Sequence, residues 1–86
     1  MKYKKFCSIL EKVVSEIHDM LDESGLKFDR VGPSFSIKLN KKKVASTQEK
    51  IDGIISKEFS GDDVRTFRKY NYCNKRLFLQ FKRRSA

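Results

Sequence analysis

The hydrophobic period of this chain changes three times, and that alternation restricts the folds open to it. Phe6, Leu10, Val13, Ile17, Met20 and Leu21, widened by Ile9 and Val14, recur at the three-and-four spacing of an amphipathic helix. The spacing predicts a helix from Lys4 to Ser24, ended by Gly25, a residue suited to the left-handed backbone that commonly terminates helices. From Leu26 the period falls to two. Leu26 and Phe28 alternate with Lys27 and Asp29, then Phe35, Ile37 and Leu39 with Ser34, Ser36, Lys38 and Asn40, which is strand patterning. Gly32 and Pro33 between these runs mark a turn joining two strands; a bend in one long strand would leave a sheet of three.

The helical period returns with Ile51, Ile54, Ile55 and Phe59. Ser46 and Glu49 have the spacing of a capping box, so the second helix is expected over Thr47 to Ser60, closed by Gly61. Gly53 inside it weakens the helix by about 1 kcal/mol relative to alanine. Val64 to Lys82 is rich in β-formers and reads as a hairpin turning near Cys73, Asn74 and Lys75. The order α-β-β-α-β-β predicts an α+β two-layer sandwich, an antiparallel sheet of three or four strands with both helices on one face. It is the order obtained when the first strand of a βαββαβ, ferredoxin-like arrangement is moved to the end of the chain. No linker or repeat divides residues 1 to 86, which read as one small basic domain.

Charge is distributed by element. The chain carries 20 Lys and Arg against 11 Asp and Glu, a formal charge of +9. Residues 1 to 24 hold four basic and five acidic groups, and residues 44 to 63 hold two and five. Residues 25 to 43 hold six and one, and residues 64 to 86 hold eight and none. The strand regions are therefore expected to form a positive side that steers a polyanion.

The hairpin pattern separates two faces. A two-residue turn at Asn74 and Lys75 would set Tyr72 opposite Leu77, Tyr70 opposite Leu79 and Arg68 opposite Phe81, on a face packed against the helices. The other face would show Arg65, Phe67, Lys69, Asn71, Arg76, Phe78, Gln80 and Lys82, joined by Ser34, Ser36, Lys38 and Asn40. Cations beside exposed aromatic rings are the combination that binds single-stranded nucleic acid, with phosphates on the cations and bases on the rings. Phe67 and Phe78 are the stacking candidates. The same rings would otherwise cover apolar surface or an interface.

Lys41, Lys42 and Lys43 read as a loop ahead of the second helix, where three ammonium groups and free backbone donors converge on a phosphate; a solvated loop is the plainer reading. Lys82, Arg83 and Arg84 read as an extension of the phosphate footprint, a nuclear-import patch, or the start of a further segment. Lys2, Lys4 and Lys5 at the start of the first helix and Asp19, Asp22 and Glu23 at its end oppose its dipole, a small penalty that folded helices tolerate.

Catalytic chemistry finds little purchase. The single histidine, His18, flanks an apolar stripe without a second titratable partner, and Cys7 and Cys73 lie in no activating motif. Asp62 and Asp63 would suit a divalent cation, but after a glycine an acidic pair more often begins a turn. No zinc spacing or glycine-rich phosphate loop occurs, so no metal and no cofactor is expected, and no enzyme. Two cysteines fit a reducing compartment, and no apolar run spans a bilayer, so an intracellular protein, cytoplasmic or nuclear, is expected.

The reading is a nucleic-acid-binding module for RNA or single-stranded DNA. Its footprint comprises Lys38, Lys41, Lys42, Lys43, Arg65, Arg68, Lys69, Lys75, Arg76 and Lys82, with Phe67 and Phe78 stacking. The alternative is an interaction module that docks an acidic protein, or a homo- or hetero-dimer, through the same surface. Attachment to a membrane surface lacks the amphipathic basic helix it would use.

Overall fold

The apolar stripe that begins at Phe6 becomes α1, Tyr3–Glu23, in a computed structural model that describes residues 2–60 and 63–84. Phe6, Val13, Val14, Ile17 and Leu21 are buried. The helix ends as the glycine predicted: Gly25 has φ +71°, its N–H donates to the Asp22 carbonyl at 3.0 Å, and Leu26 N–H donates to the Leu21 carbonyl at 3.0 Å. This pair of bonds is the Schellman motif, and it satisfies carbonyls that would otherwise end in solvent. No acid stands in the first turn and no base in the last, so the dipole is uncompensated at both ends.

Two strands follow, β1 (Phe28–Val31) and β2 (Ser34–Lys38). They pair antiparallel from Phe28 with Ile37 to Val31 with Ser34, so Gly32 and Pro33 make a two-residue turn rather than a bend. Gly32 has φ +56°, the conformation that the first central residue of a II′ hairpin turn requires and that glycine adopts freely.

The second helix, α2, spans Lys41–Glu58 and starts ahead of the expected Thr47, taking in Lys41, Lys42 and Lys43. Its inward stripe begins at Val44 and runs through buried Thr47 and Ile51 to Ile54 and Ile55, and lysine is a good helix former. Asn40 is the N-cap, with no side-chain capping bond. The Ser46–Glu49 capping box does not form. Ser46 lies inside the helix and its hydroxyl donates back to the Lys43 carbonyl at 3.1 Å. Phe59 rather than Ser60 is the C-cap, and Gly61, read as the terminator, lies outside the described residues.

The final hairpin comprises β3 (Val64–Asn71) and β4 (Arg76–Arg83). Tyr70 faces Leu77, Arg68 faces Leu79 and Thr66 faces Phe81, a register two residues from the expected one. The turn holds four residues, Tyr72 to Lys75, because the Asn71 carboxamide oxygen accepts from the N–H groups of Cys73 at 2.9 Å and Asn74 at 3.3 Å. Lys75 closes it with φ +56°. A slip of two keeps every side chain on its face, whereas a slip of one would exchange the faces. Tyr72, expected opposite Leu77 on the packed face, instead stands exposed in the turn.

The four strands form one antiparallel sheet in the order β1-β2-β4-β3. Placing β4 before α1 converts this into βαββαβ with a split-βαβ sheet, so the permuted ferredoxin-like order holds. Both helices cover one face. Phe35, Ile37, Leu77, Leu79 and Phe81 of the sheet and Leu39 at its end join the α1 stripe, Ile51 and Phe59 in a single core. Lys12 with Glu58 at 3.2 Å and Lys57 with Glu16 at 3.1 Å link the helices on the solvent side.

Candidate functional site

Alternation that buries one side of each strand leaves the other side bare, and no described element crosses it. Reading across β3, β4, β2 and β1, the open face has successive rows. Arg65 stands beside Lys82; Phe67 beside Gln80, Ser34 and Val31; Lys69 beside Phe78, Ser36 and Asp29; and Asn71 beside Arg76 and Lys38. Phe67 is 58% exposed and Phe78 40%, and Val31 is exposed as well, so three of the five large exposed hydrophobic residues lie on this face. The two phenylalanines occupy adjacent strands one step apart on the diagonal, within reach of neighbouring bases of one strand. A shallow recess of about 270 Å³ beside Phe67 is lined by Arg65, Thr66 and Lys82.

The face is positive around its margin and not uniformly so. Arg65, Lys69 and Lys82 are exposed and make no ion pair among the described residues. Arg76 differs: its Nη1 donates to Asp29 Oδ2 at 3.2 Å, to Ser36 Oγ at 3.1 Å and to the Ser36 carbonyl at 3.4 Å, so its charge is held down and compensated. Asp29 is a member of this face that the search for cations and rings does not reach, although its alternation with Phe28 places it on this side. Lys38 and Lys75 meet Lys43 and Asn40 around a second recess of about 210 Å³ at the end of the sheet.

Several expected members lie elsewhere. Arg68 points into the helix layer, where its guanidinium donates to Thr66 Oγ1 at 3.3 Å, Gln48 Oε1 at 3.3 Å and the Asp52 carboxylate. It ties β3 to α2 and drops out of the open face. Lys41, Lys42 and Lys43 are the first turn of α2, not a loop, and Lys41 lies over the Tyr72 ring, 5.5 Å from its centroid. Asn40 lies past the end of β2. Because α2 takes in these lysines, it holds five lysines against three acids, while α1 holds three against five. The helices together are neutral rather than acidic, and the excess charge belongs to the sheet and its connections.

Several other polar side chains are engaged in local packing. The Tyr70 hydroxyl donates to the Leu39 carbonyl at 2.6 Å, and the His18 ring meets Phe28 edge-on at 4.9 Å. Arg83 lies over the Tyr3 ring at 5.1 Å, and a hydrogen bond between the Tyr3 and Cys7 side chains holds the phenol above its ordinary pKa, neutral at physiological pH. Asp62 of the proposed acidic pair lies outside the described residues. Among the described residues no three His, Cys, Asp or Glu side chains converge on a metal position. No described helix is long and apolar enough to cross a membrane. No protein-family model matches the chain, and neither the curated proteins nor the solved structures contain a significant match to it.

Proposed function

We propose that the protein binds single-stranded nucleic acid, RNA or single-stranded DNA, across the open face of its sheet. One observation carries the reading: Phe67 and Phe78 are presented to solvent on adjacent strands, with Arg65, Lys69 and Lys82 around them making no ion pair among the described residues. An apolar ring exposed in a strand weakens solubility without adding to the core, whereas a base stacked on it contributes about 1–3 kcal/mol. Lys38 and Lys75 extend the cationic margin at one end of the face. The free thiols of Cys7 and Cys73 agree with a reducing, intracellular setting, cytoplasmic or nuclear.

Fluorescence anisotropy with matched single-stranded and duplex oligonucleotides over a salt series tests this reading. Single strands are expected to bind more tightly than duplexes. The logarithm of the affinity is expected to fall linearly with the logarithm of salt, with a slope of about −0.7 per phosphate neutralised. A salt-independent affinity, or stronger binding of duplexes, refutes it.

A further inference from the structure

Resting on that reading, we infer that the row Lys69, Phe78, Ser36 and Asp29 accommodates one nucleotide from phosphate to base edge, and that Asp29 selects bases bearing an exocyclic amino group. The four residues are cross-strand partners on one face, one from each strand, Lys69 opposite Phe78, Phe78 opposite Ser36 and Ser36 opposite Asp29. Adjacent strands lie about 4.8 Å apart, so the row spans about 14 Å from cation to carboxylate with the ring between them. A base stacked on Phe78 with its phosphate at Lys69 directs its far edge over Ser36 toward Asp29.

Asp29 is the sole carboxylate among the strand residues of a strongly basic face. Arg76 fixes it through Oδ2, while Oδ1 makes no hydrogen bond among the described residues and is free to accept. Its side chain is 77% exposed. The Asp29–Arg76 pair presents no net positive charge to phosphate, whereas Arg65 and Lys69 on β3 do, which directs the backbone along β3 and turns the bases inward. A carboxylate accepts from the amino group of cytosine or adenine and meets only the carbonyl oxygen of uracil or thymine at the corresponding position. Arg76 is a positioning residue in this arrangement.

The test compares short homo-oligomers of C and U, and the deoxy forms of C and T, on the wild-type protein and on Asp29→Ala and Lys69→Gln. Wild type is expected to prefer C over U or T roughly tenfold, the effect of one charge-assisted hydrogen bond. In Asp29→Ala the ratio falls to near unity, and the salt slope steepens by about 0.7 because Arg76 is released to a further phosphate. Lys69→Gln weakens both oligomers alike and leaves the ratio unchanged. Asp29 is exposed on an edge strand, so Asp29→Ala folds, as a thermal melt will show. Binding to C and U alike by wild type, or a ratio that survives Asp29→Ala, overturns the assignment while leaving the proposed function intact. Failure of wild type to bind any single strand overturns both.

Discussion

Replacement of Phe67 by alanine separates a ring that is used from one that is merely packed. The side chain is 58% exposed, so about two fifths of its surface is removed from water in the fold. Full burial of phenylalanine is worth about 1.5–3 kcal/mol, and the partial burial here therefore corresponds to a stability loss on the order of 1 kcal/mol. A stacked base loses about 1–3 kcal/mol, which is roughly a 5- to 150-fold rise in Kd. Phe67→Leu sharpens the comparison: it retains most of the apolar contact and removes the aromatic face. Anisotropy with a labelled single strand measures affinity, a thermal melt measures stability, and light scattering measures mass. The expected outcome is a large affinity loss in both variants, a stability loss mainly in Phe67→Ala, and no change of mass. Full affinity in Phe67→Leu refutes stacking, and a change of mass in either variant moves Phe67 into a subunit interface.

Two further predictions concern the scaffold. Gly53 lies on the exposed side of α2 with helical φ and nothing within 4 Å of the position its Cβ would occupy. Gly53→Ala is therefore expected to stabilise the protein by about 1 kcal/mol, read as a higher melting temperature; a lower one contradicts the solvent-facing placement. Arg68→Gln removes a cation tied to Gln48 and Asp52, and because Asp52 is largely exposed the expected loss is modest, about 1 kcal/mol, with affinity and salt slope unchanged. A slope change equal to that of Lys69→Gln would return Arg68 to the binding surface.

The faces of the sheet were more legible than its register. Alternation in Arg65 to Asn71 and Arg76 to Lys82 decides which residues turn inward, and that decision survives any even slip. The register itself depends on the turn, where the Asn71 carboxamide captures two backbone N–H groups and lengthens the loop, an effect not apparent from an Asn-Lys pair. The start of α2 departs from its capping signal for a related reason. Ser46 and Glu49 have the right spacing for a cap, but Val44 already points inward a turn earlier, and burial of a longer stripe prevails over a local capping preference. Arg68 was on the packed face by its own parity, and its cationic character alone brought it into the expected footprint. Asp29 is legible by the same parity, but one acid among many bases carries no signal in the sequence, because its Arg76 partner lies 47 residues away.

The position of β4 between β2 and β3 bears on how the chain assembles. It follows the other five described elements in sequence, yet it is the strand that pairs with β3 and joins it to the β1–β2 hairpin. While the polypeptide is being synthesised, the helices and the first hairpin emerge with Phe35 and Ile37 exposed along an unpaired edge, and β3 follows with no strand to join. Leu77, Leu79 and Phe81 then arrive together and complete the core in one step. Folding is consequently tied to long-range contacts that wait for β4, and a nascent chain that lacks β4 exposes the surfaces that chaperones recognise.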